Sequence, residues 1–316
     1  LNLEQLNREI LGKLGLSQSL RGKGALAHEA DLIAQVAWSR MNSEGKAEPP
    51  PARFQCRLEP ARISVPEAVL RLALEWADRR ARGVLLQHVL GEWQFLDHTY
   101  QVGPEVLVPR PETEVLVEEL TRELARIHGP SESFLGAEIG IGSGIISIEL
   151  LSRFSDLSMV GTEISPQALV LARENASKIL SEARAGRDFD ARLTNPEESP
   201  CQALEVILGG KRPHFLVSNP PYLNPDAMSR EVEDEVRAQE PHSALFAPAE
   251  DLLYFYGDIA EHAPYLLAKD GLIALEIPHE RAAQLRDLFE TFGYEVRIVQ
   301  DLTGRDRVLF ARAKQE

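Results

Sequence analysis

Cysteine is scarce: Cys56 and Cys201 are the only two in 316 residues. They lie far apart and outside any paired ligand spacing, which excludes a disulfide framework and a cysteine-based zinc module. The eight histidines are scattered, so no metal is expected. Long apolar runs are missing too; none approaches the roughly 18–20 residues of a membrane-spanning helix. The N-terminus carries Glu4 and Glu9 with no charged-then-apolar leader, so no secretory signal is expected. Internal repeats and low-complexity tracts are absent. A reduced, cytoplasmic protein without metal or membrane partner is the expectation.

Positive charge is also in short supply, with 34 Lys+Arg against 49 Asp+Glu for a net charge of −15. The deficit is uneven. Residues 1–90 hold 13 Lys+Arg against 10 Asp+Glu, so the remaining 226 carry −18. Such an acidic surface is repelled by phosphate backbones, which argues against a direct nucleic-acid substrate. What the chain does have is an ordinary globular mix, 44% hydrophobic and 26% charged, enough for a sizeable core in one large domain or two ordinary ones.

Leu3, Leu6, Ile10 and Leu14 follow helical spacing, and Leu32, Ile33, Val36 and Ala37 form a second apolar face near Trp38. Gly12, Gly15, Gly22 and Gly24 supply breaks, and Met41–Pro60, with Pro49-Pro50-Pro51, reads as a loop. A third helix begins near Pro66 and runs through Val69, Leu72, Ala73 and Trp76 to the basic group Arg79, Arg80 and Arg82. Residues 1–90 are therefore expected to form a small all-α domain. In residues 91–109, Trp93, Phe95, Tyr100, Val102, Val106 and Val108 predict a β-hairpin linker. Residues 110–316 then alternate strands and helices, with strands at Phe134–Ile139, Met159–Glu163, Phe215–Ser218 and Gly271–Ile277 and a closing pair at Tyr294–Gln300 and Arg307–Ala313. That alternation predicts an α/β fold with a mainly parallel, doubly wound sheet. The stretch Ala183–Pro213 reads as enlarged and irregular.

Two loops carry chemistry. The first is Gly140-Ile141-Gly142-Ser143-Gly144, following Glu138 at a strand-to-helix junction. Glycines there let backbone approach a ligand and present amides from a helix N-terminus. Glu163, at the end of the next strand, can accept both hydroxyls of a ribose. A dinucleotide fingerprint would need glycine at Ile145 or Ser147, so the shorter spacing fits a cofactor with no pyrophosphate.

The second loop is Asn219-Pro220-Pro221-Tyr222, directly after the strand Phe215–Ser218. The prolines stop the strand and hold Asn219 at its carboxyl end, where open α/β sheets place ligands. A planar –NH2 group offers two N–H donors and a delocalised lone pair. The Asn219 side-chain carbonyl and the Pro220 backbone carbonyl can each accept one hydrogen, aiming the nitrogen at an electrophilic methyl group. Tyr222 would stack on the flat group.

These motifs, with Gln87–Phe95, Val106–Glu114, Glu240–Leu245 and Asp301–Arg307, resemble the HemK-type glutamine methyltransferases of peptide chain release factors. The segment Arg110-Pro111-Glu112-Thr113-Glu114 is the most discriminating part. The resemblance implies a Rossmann-like S-adenosylmethionine-dependent methyltransferase acting on the glutamine of the Gly-Gly-Gln loop of class 1 release factors. It also implies that the helical N-terminal domain helps to hold the release factor. Gly140, Ile141, Gly142, Ser143, Gly144, Glu163 and Asn219 would then bind S-adenosylmethionine. Asn219, Pro220, Pro221 and Tyr222 would clamp the substrate, with Asn219, Pro220 and Tyr222 in the catalytic role.

The chain departs from that pattern in two further places. Members of the family have an acidic residue followed by an aromatic one beside the adenine; Leu193-Thr194-Asn195-Pro196-Glu197-Glu198-Ser199 has no aromatic, and Glu197 is the positional candidate. Glu276-Ile277-Pro278-His279 lacks the glycine usual after Glu-Ile. Within the discriminating segment, Glu112 or Thr113 would cap a helix, and Arg110 and Glu112 would line the mouth of the site. Arg79, Arg80 and Arg82 are candidates for partner contact because they cluster, although solvated helix ends look the same. Two other readings stand beside the main one: a nucleic-acid adenine methyltransferase, against which the acidic run Glu231, Glu233, Asp234, Glu235 speaks, and a nucleotide-sensing scaffold without catalysis.

Overall fold

Leu3, Leu6, Ile10 and Leu14 are all buried along one face of the helix Leu3–Leu16, as their spacing requires. The computed structural model describes residues 1–16, 26–49, 60–129, 133–225 and 234–314. The chain divides into two compact units, Leu1–Glu92 and Trp93–Glu316. In the first unit a second helix, Leu26–Ser43, buries Ala30, Ile33, Ala34, Ala37 and Met41. This stripe is rotated from the expected one, since Leu32 and Val36 are only half-buried. A third long helix, Glu67–Ala81, starts directly after Pro66 and buries Val69, Ala73, Trp76 and Ala77. Gly22, Gly24, Pro50, Pro51 and Cys56 lie outside the described residues.

Arg80 corrects the reading of a basic surface cluster. It is 4% exposed, and its guanidinium donates to both oxygens of Glu29 at 2.8 and 3.2 Å. A charge this deeply buried is tolerated only when paired and hydrogen-bonded. The partner, Glu29, lies 51 positions away in sequence.

The second unit opens on a hairpin, whose strands are β1 (Glu92–Phe95, begun on the last residue of the first unit) and β2 (His98–Gln101). It is shorter than expected: Val102, Val106 and Val108 belong to an irregular segment instead. Backbone amides at Leu96 and Gln101 donate to Glu114 and to Asn175, at 3.2 and 2.7 Å. Those bonds tie the hairpin to the sheet unit, so it is not a free-standing linker.

The seven-stranded sheet contains β3 (Phe134–Ile139), β4 (Leu157–Glu163), β5 (Phe189–Leu193), β6 (Phe215–Ser218), β7 (Leu272–Glu276), β8 (Tyr294–Gln300) and β9 (Asp306–Ala313). Its order is β5-β4-β3-β6-β7-β9-β8, with β3 to β7 parallel and β9 antiparallel to both β7 and β8. Alternation along the strands sorts the core into two layers. Phe215 and Val217 pack with Leu116, Leu120, Ile148 and Leu169 on one face. Leu216 packs with Leu204, Tyr256, Ile259 and Leu285 on the other. Helices on both faces make this the doubly wound architecture that the alternation predicts.

The stretch expected to be irregular holds three regular elements: most of the helix Glu182–Asp188, β5 and the helix Pro200–Leu208. The last helix is capped by Ser199 Oγ, which accepts from the Gln202 amide at 3.2 Å, and has Pro200 at its first position. β5 is an edge strand that buries only Phe189 and Ala191. Among the described residues no helix is long and apolar enough to cross a membrane.

Candidate functional site

The chain leaves β3 toward one side of the sheet to form β4 and β5, then returns to the other side for β6 and β7. At such a reversal the loops at the strand carboxyl ends splay apart and leave a crevice. A cavity of about 620 Å³ lies there, within the size range of small-molecule sites. Its wall includes Gly140, Ile141, Gly142 and Ser143 after β3, Glu163 at the end of β4, and Asn219, Pro220 and Pro221 after β6.

In the glycine loop, Gly140 and Gly142 have φ of +75° and +56°, a left-handed region costly for residues with a Cβ. A Cβ at either would meet nothing within 4 Å, so the space beside them is open to a ligand. Gly144 does something different. It is not part of the cavity wall, and a Cβ there would come within 2.8 Å of Ile148 Cδ1. It serves close packing of the helix Ile145–Arg153 against the Ala172 backbone.

Buried polar groups brace the loop. The Glu138 carboxylate accepts from the Ser147 amide at 3.1 Å and from the Ser147 hydroxyl, joining the loop's entrance to its exit helix. Burial pushes the Glu138 pKa up to about 8, with the Ser147 bonds opposing. Asn175 Nδ2 donates to the Ser143 carbonyl at 2.9 Å and the Gln101 carbonyl at 3.1 Å. Sequence reasoning missed Asn175, because an asparagine inside a helix gives no local sign of partners in other segments. The two Glu163 oxygens accept from the Gly142 and Ser165 amides, each at 2.8 Å. That grip fixes the carboxylate at the cavity edge, and each oxygen keeps lone-pair capacity for a hydroxyl.

Beyond β5 the structure corrects the choice of Glu197. Glu197 is exposed and is not part of the wall, whereas Asn195, Pro196 and Glu198 are. The reason is a tight Asn195 turn: the Asn195 side-chain oxygen accepts the Glu197 amide at 3.1 Å, and its carbonyl accepts the Glu198 amide at 3.1 Å. Aromatic side chains reach the cavity from another element. Tyr254 and Phe255, at the start of the helix Tyr254–Leu266, line the same cavity.

Around β6, the Arg110-to-Glu114 segment does not cap its helix through Glu112 or Thr113. Arg110 occupies the cap position without a side-chain capping bond, and Pro111 starts the helix Pro111–Ile127. Thr113 instead turns inward, donating to Glu276 Oε2 at 2.6 Å and accepting from Asn219 Nδ2 at 3.1 Å. Arg110 Nη2 donates to Glu240 Oε2 at 2.6 Å, while Glu240 Oε1 accepts the Val108 amide at 3.1 Å. This pair holds the wall segment that contains Val106, Leu107 and Val108. Burial raises the Glu240 pKa, and Arg110 pulls against it.

Tyr222 lies outside the cavity wall. The chain beyond Pro221 is drawn away by Leu223, whose amide donates to Leu245 and whose carbonyl accepts from Ala247, at 3.1 and 3.0 Å. The half-buried Tyr222 packs against the layer that holds Tyr256. Its phenol pKa is raised by burial and then by Glu276. Of the acidic run, Glu231 and Glu233 lie outside the described residues, and Asp234 opens a short helix, Asp234–Gln239. Among the described residues, no group of three or more His, Cys, Asp and Glu is arranged to hold a metal ion.

A glycine loop after β3, a gripped carboxylate ending β4 and an asparagine-proline loop after β6, all on a doubly wound sheet, define a Rossmann-like S-adenosylmethionine-dependent methyltransferase. No family model matches the chain. A release factor glutamine methyltransferase of Aquifex aeolicus (strain VF5) is 34% identical over 248 residues, covering 78% of this chain and 82% of its own length. One from Moorella thermoacetica is 34% identical over 241 residues, covering 76% and 78%. Among solved structures, the release factor-specific protein-(glutamine-N5) methyltransferase of Alicyclobacillus acidocaldarius is 28% identical. It covers 68% of this chain and 100% of its own, with a TM-score of 0.39. The chain belongs to the release factor glutamine methyltransferase family.

Proposed function

We propose that the chain methylates the side-chain amide nitrogen of the glutamine in the Gly-Gly-Gln loop of class 1 release factors, in the cytoplasm, and so modulates translation termination. The observation that carries this reading is the placement of Asn219 and Pro220 in the wall of the cavity that the glycine loop and Glu163 also line. The cavity fits S-adenosylmethionine on two counts: open space beside Gly140 and Gly142, and a carboxylate oriented by two backbone amides. Gly140 to Ser143 would hold the amino-acid part, Glu163 the ribose hydroxyls, and Asn195, Pro196, Tyr254 and Phe255 the adenine.

When bound, S-adenosylmethionine would supply an electrophilic methyl group on a sulfonium sulfur, and the amide nitrogen that takes it would give up a proton. The chain's own contribution is positional. Asn219 Oδ1 and the Pro220 carbonyl accept the two amide hydrogens, which orients the nitrogen lone pair and favours the positive charge that develops there. Prolines on both sides of the Pro220 carbonyl limit its motion. Tyr222 lies outside the cavity wall, so its share in the clamp follows from the resemblance and would require the release factor loop to reach it. The helical unit would help to hold the release factor.

Incubation with radiolabelled S-adenosylmethionine tests the proposal against its rivals. Label should enter a class 1 release factor and vanish when the acceptor glutamine is changed. Label entering nucleic acid would instead support the adenine reading, and label in neither would support a scaffold.

A further inference from the structure

The side-chain amide of Asn219 has two chemically opposite ends of nearly equal size: Oδ1 accepts and Nδ2 donates. Only Oδ1 can accept a hydrogen from an –NH2 group. Half a turn about the terminal torsion would set donor against donor and lose the contact. Neither β6 nor the prolines distinguish the two orientations, because they fix backbone alone.

The choice is made by two hydrogen bonds in series. Asn219 Nδ2 donates to Thr113 Oγ1 at 3.1 Å, and Thr113 Oγ1 donates to Glu276 Oε2 at 2.6 Å. Thr113 and Glu276 are each 1% exposed, so bulk water does not compete. An ionised carboxylate only accepts, and a hydroxyl has one hydrogen to give. With that hydrogen committed to Glu276, Thr113 Oγ1 has only lone pairs left for Asn219. It can receive Nδ2 and cannot receive Oδ1.

The acceptor end of the series is anchored on the sheet. Glu276 closes β7 opposite Val308 of β9, and its backbone carbonyl accepts from the buried Tyr256 hydroxyl at 3.0 Å. Burial pushes the Glu276 carboxyl up to about 7, with the Thr113 bond pulling it back, Glu112 adding to the rise and Arg307 and Arg110 opposing it, so the carboxylate is ionised and purely accepting above about pH 7.

We infer that Thr113 and Glu276 are positioning residues that lock the Asn219 side-chain amide with Oδ1 presented to the acceptor nitrogen. The inference rests on the proposed role of Asn219 as the amide clamp. Neither residue touches the reacting atoms; both act through Asn219. The 163 positions between them explain why the sequence alone suggests a helix cap for one and a strand end for the other.

The test is single-turnover methylation of a release factor by the full chain, with calorimetric binding of S-adenosylhomocysteine and thermal melting as controls. T113V removes the hydroxyl at constant shape and should slow transfer by about 10- to 100-fold. T113S should restore the rate to within about threefold, and neither should change S-adenosylhomocysteine affinity by more than about twofold. In an N219D background both oxygens accept, so no orientation needs setting. There T113V should cost less than about twofold. Should T113V fail to fold, E276Q replaces it, since its amide can donate to Thr113 and reverse the series. E276Q should slow transfer about tenfold with Asn219 and hardly at all with N219D. Wild-type rates in T113V, or an equal loss in both backgrounds, overturn the inference. A fully active N219A would instead overturn the clamp reading on which it rests.

Discussion

In the helical unit a buried carboxylate meets a guanidinium: Glu29 and Arg80 are joined by two charge-assisted bonds. In the sheet unit Glu138 and Glu276, equally buried, meet a serine and a threonine hydroxyl. The difference separates two uses of a buried charge. The Glu29–Arg80 pair is locally balanced and joins two helices. Glu138 and Glu276 carry a desolvation cost that hydroxyl donors offset only in part, and burial raises their pKa values to about 8 and about 7. Glu138 lies in the cavity wall one residue before the end of β3, and Glu276 ends β7 and bonds Thr113, which lines the same cavity. Once ionised, a carboxylate there only accepts and fixes the direction of hydrogen bonds in the loops beyond it.

The largest effect should come from breaking the helical pair. R80M leaves Glu29 buried without its guanidinium and should cost about 3–5 kcal/mol in urea denaturation. The double variant E29M/R80M should recover most of that loss. A double variant as unstable as the single one would mean that the pair is not balanced in the way described. On the sheet side, G142A tests whether the glycine loop is shaped for a ligand. Its left-handed φ and open flank predict about a tenfold or greater loss of S-adenosylhomocysteine affinity by calorimetry, with about 1 kcal/mol of strain. Unchanged affinity would leave the loop a structural turn.

A smaller effect separates the two kinds of buried carboxylate by pH. The Glu138 pKa is raised above its unfolded value of 4.5, to about 8. The protonated form therefore favours folding; this contribution is complete below about pH 4.5 and is lost as pH rises through about 8. Melting curves of E138Q and wild type should thus diverge in favour of the variant between those limits. A difference that is flat, or that grows toward low pH, would show that Glu138 is ionised throughout. Smallest is the adenine side, where Y254A should weaken S-adenosylhomocysteine binding by about five- to tenfold without changing the melting temperature.

Sequence carried the parts of this structure that depend on local pattern. The stripe Leu3, Leu6, Ile10 and Leu14, the alternation in Phe215-Leu216-Val217, and the prolines after Asn219 each leave a periodic or steric trace within a few residues. What it hid depends on partners far along the chain. Arg80 read as surface charge because Glu29 is 51 positions away. Thr113 read as a cap because Glu276 is 163 positions away. β5 has weak apolar contrast because it is an edge strand with Asp190 between its two buried residues and Arg192 after them. Glu197 lies outside the cavity wall because a single Asn195 turn decides which neighbours face the cavity. The site's residue types were legible, and their mutual orientation was not.

The most direct measurement is single-turnover transfer from labelled S-adenosylmethionine to a release factor, with the methylated atom located by tandem mass spectrometry for wild type and N219A. The expected result is methylation of the glutamine side-chain amide by wild type and a loss of about 100-fold or more in N219A. Methylation elsewhere on the release factor, or an N219A rate equal to wild type, would contradict it.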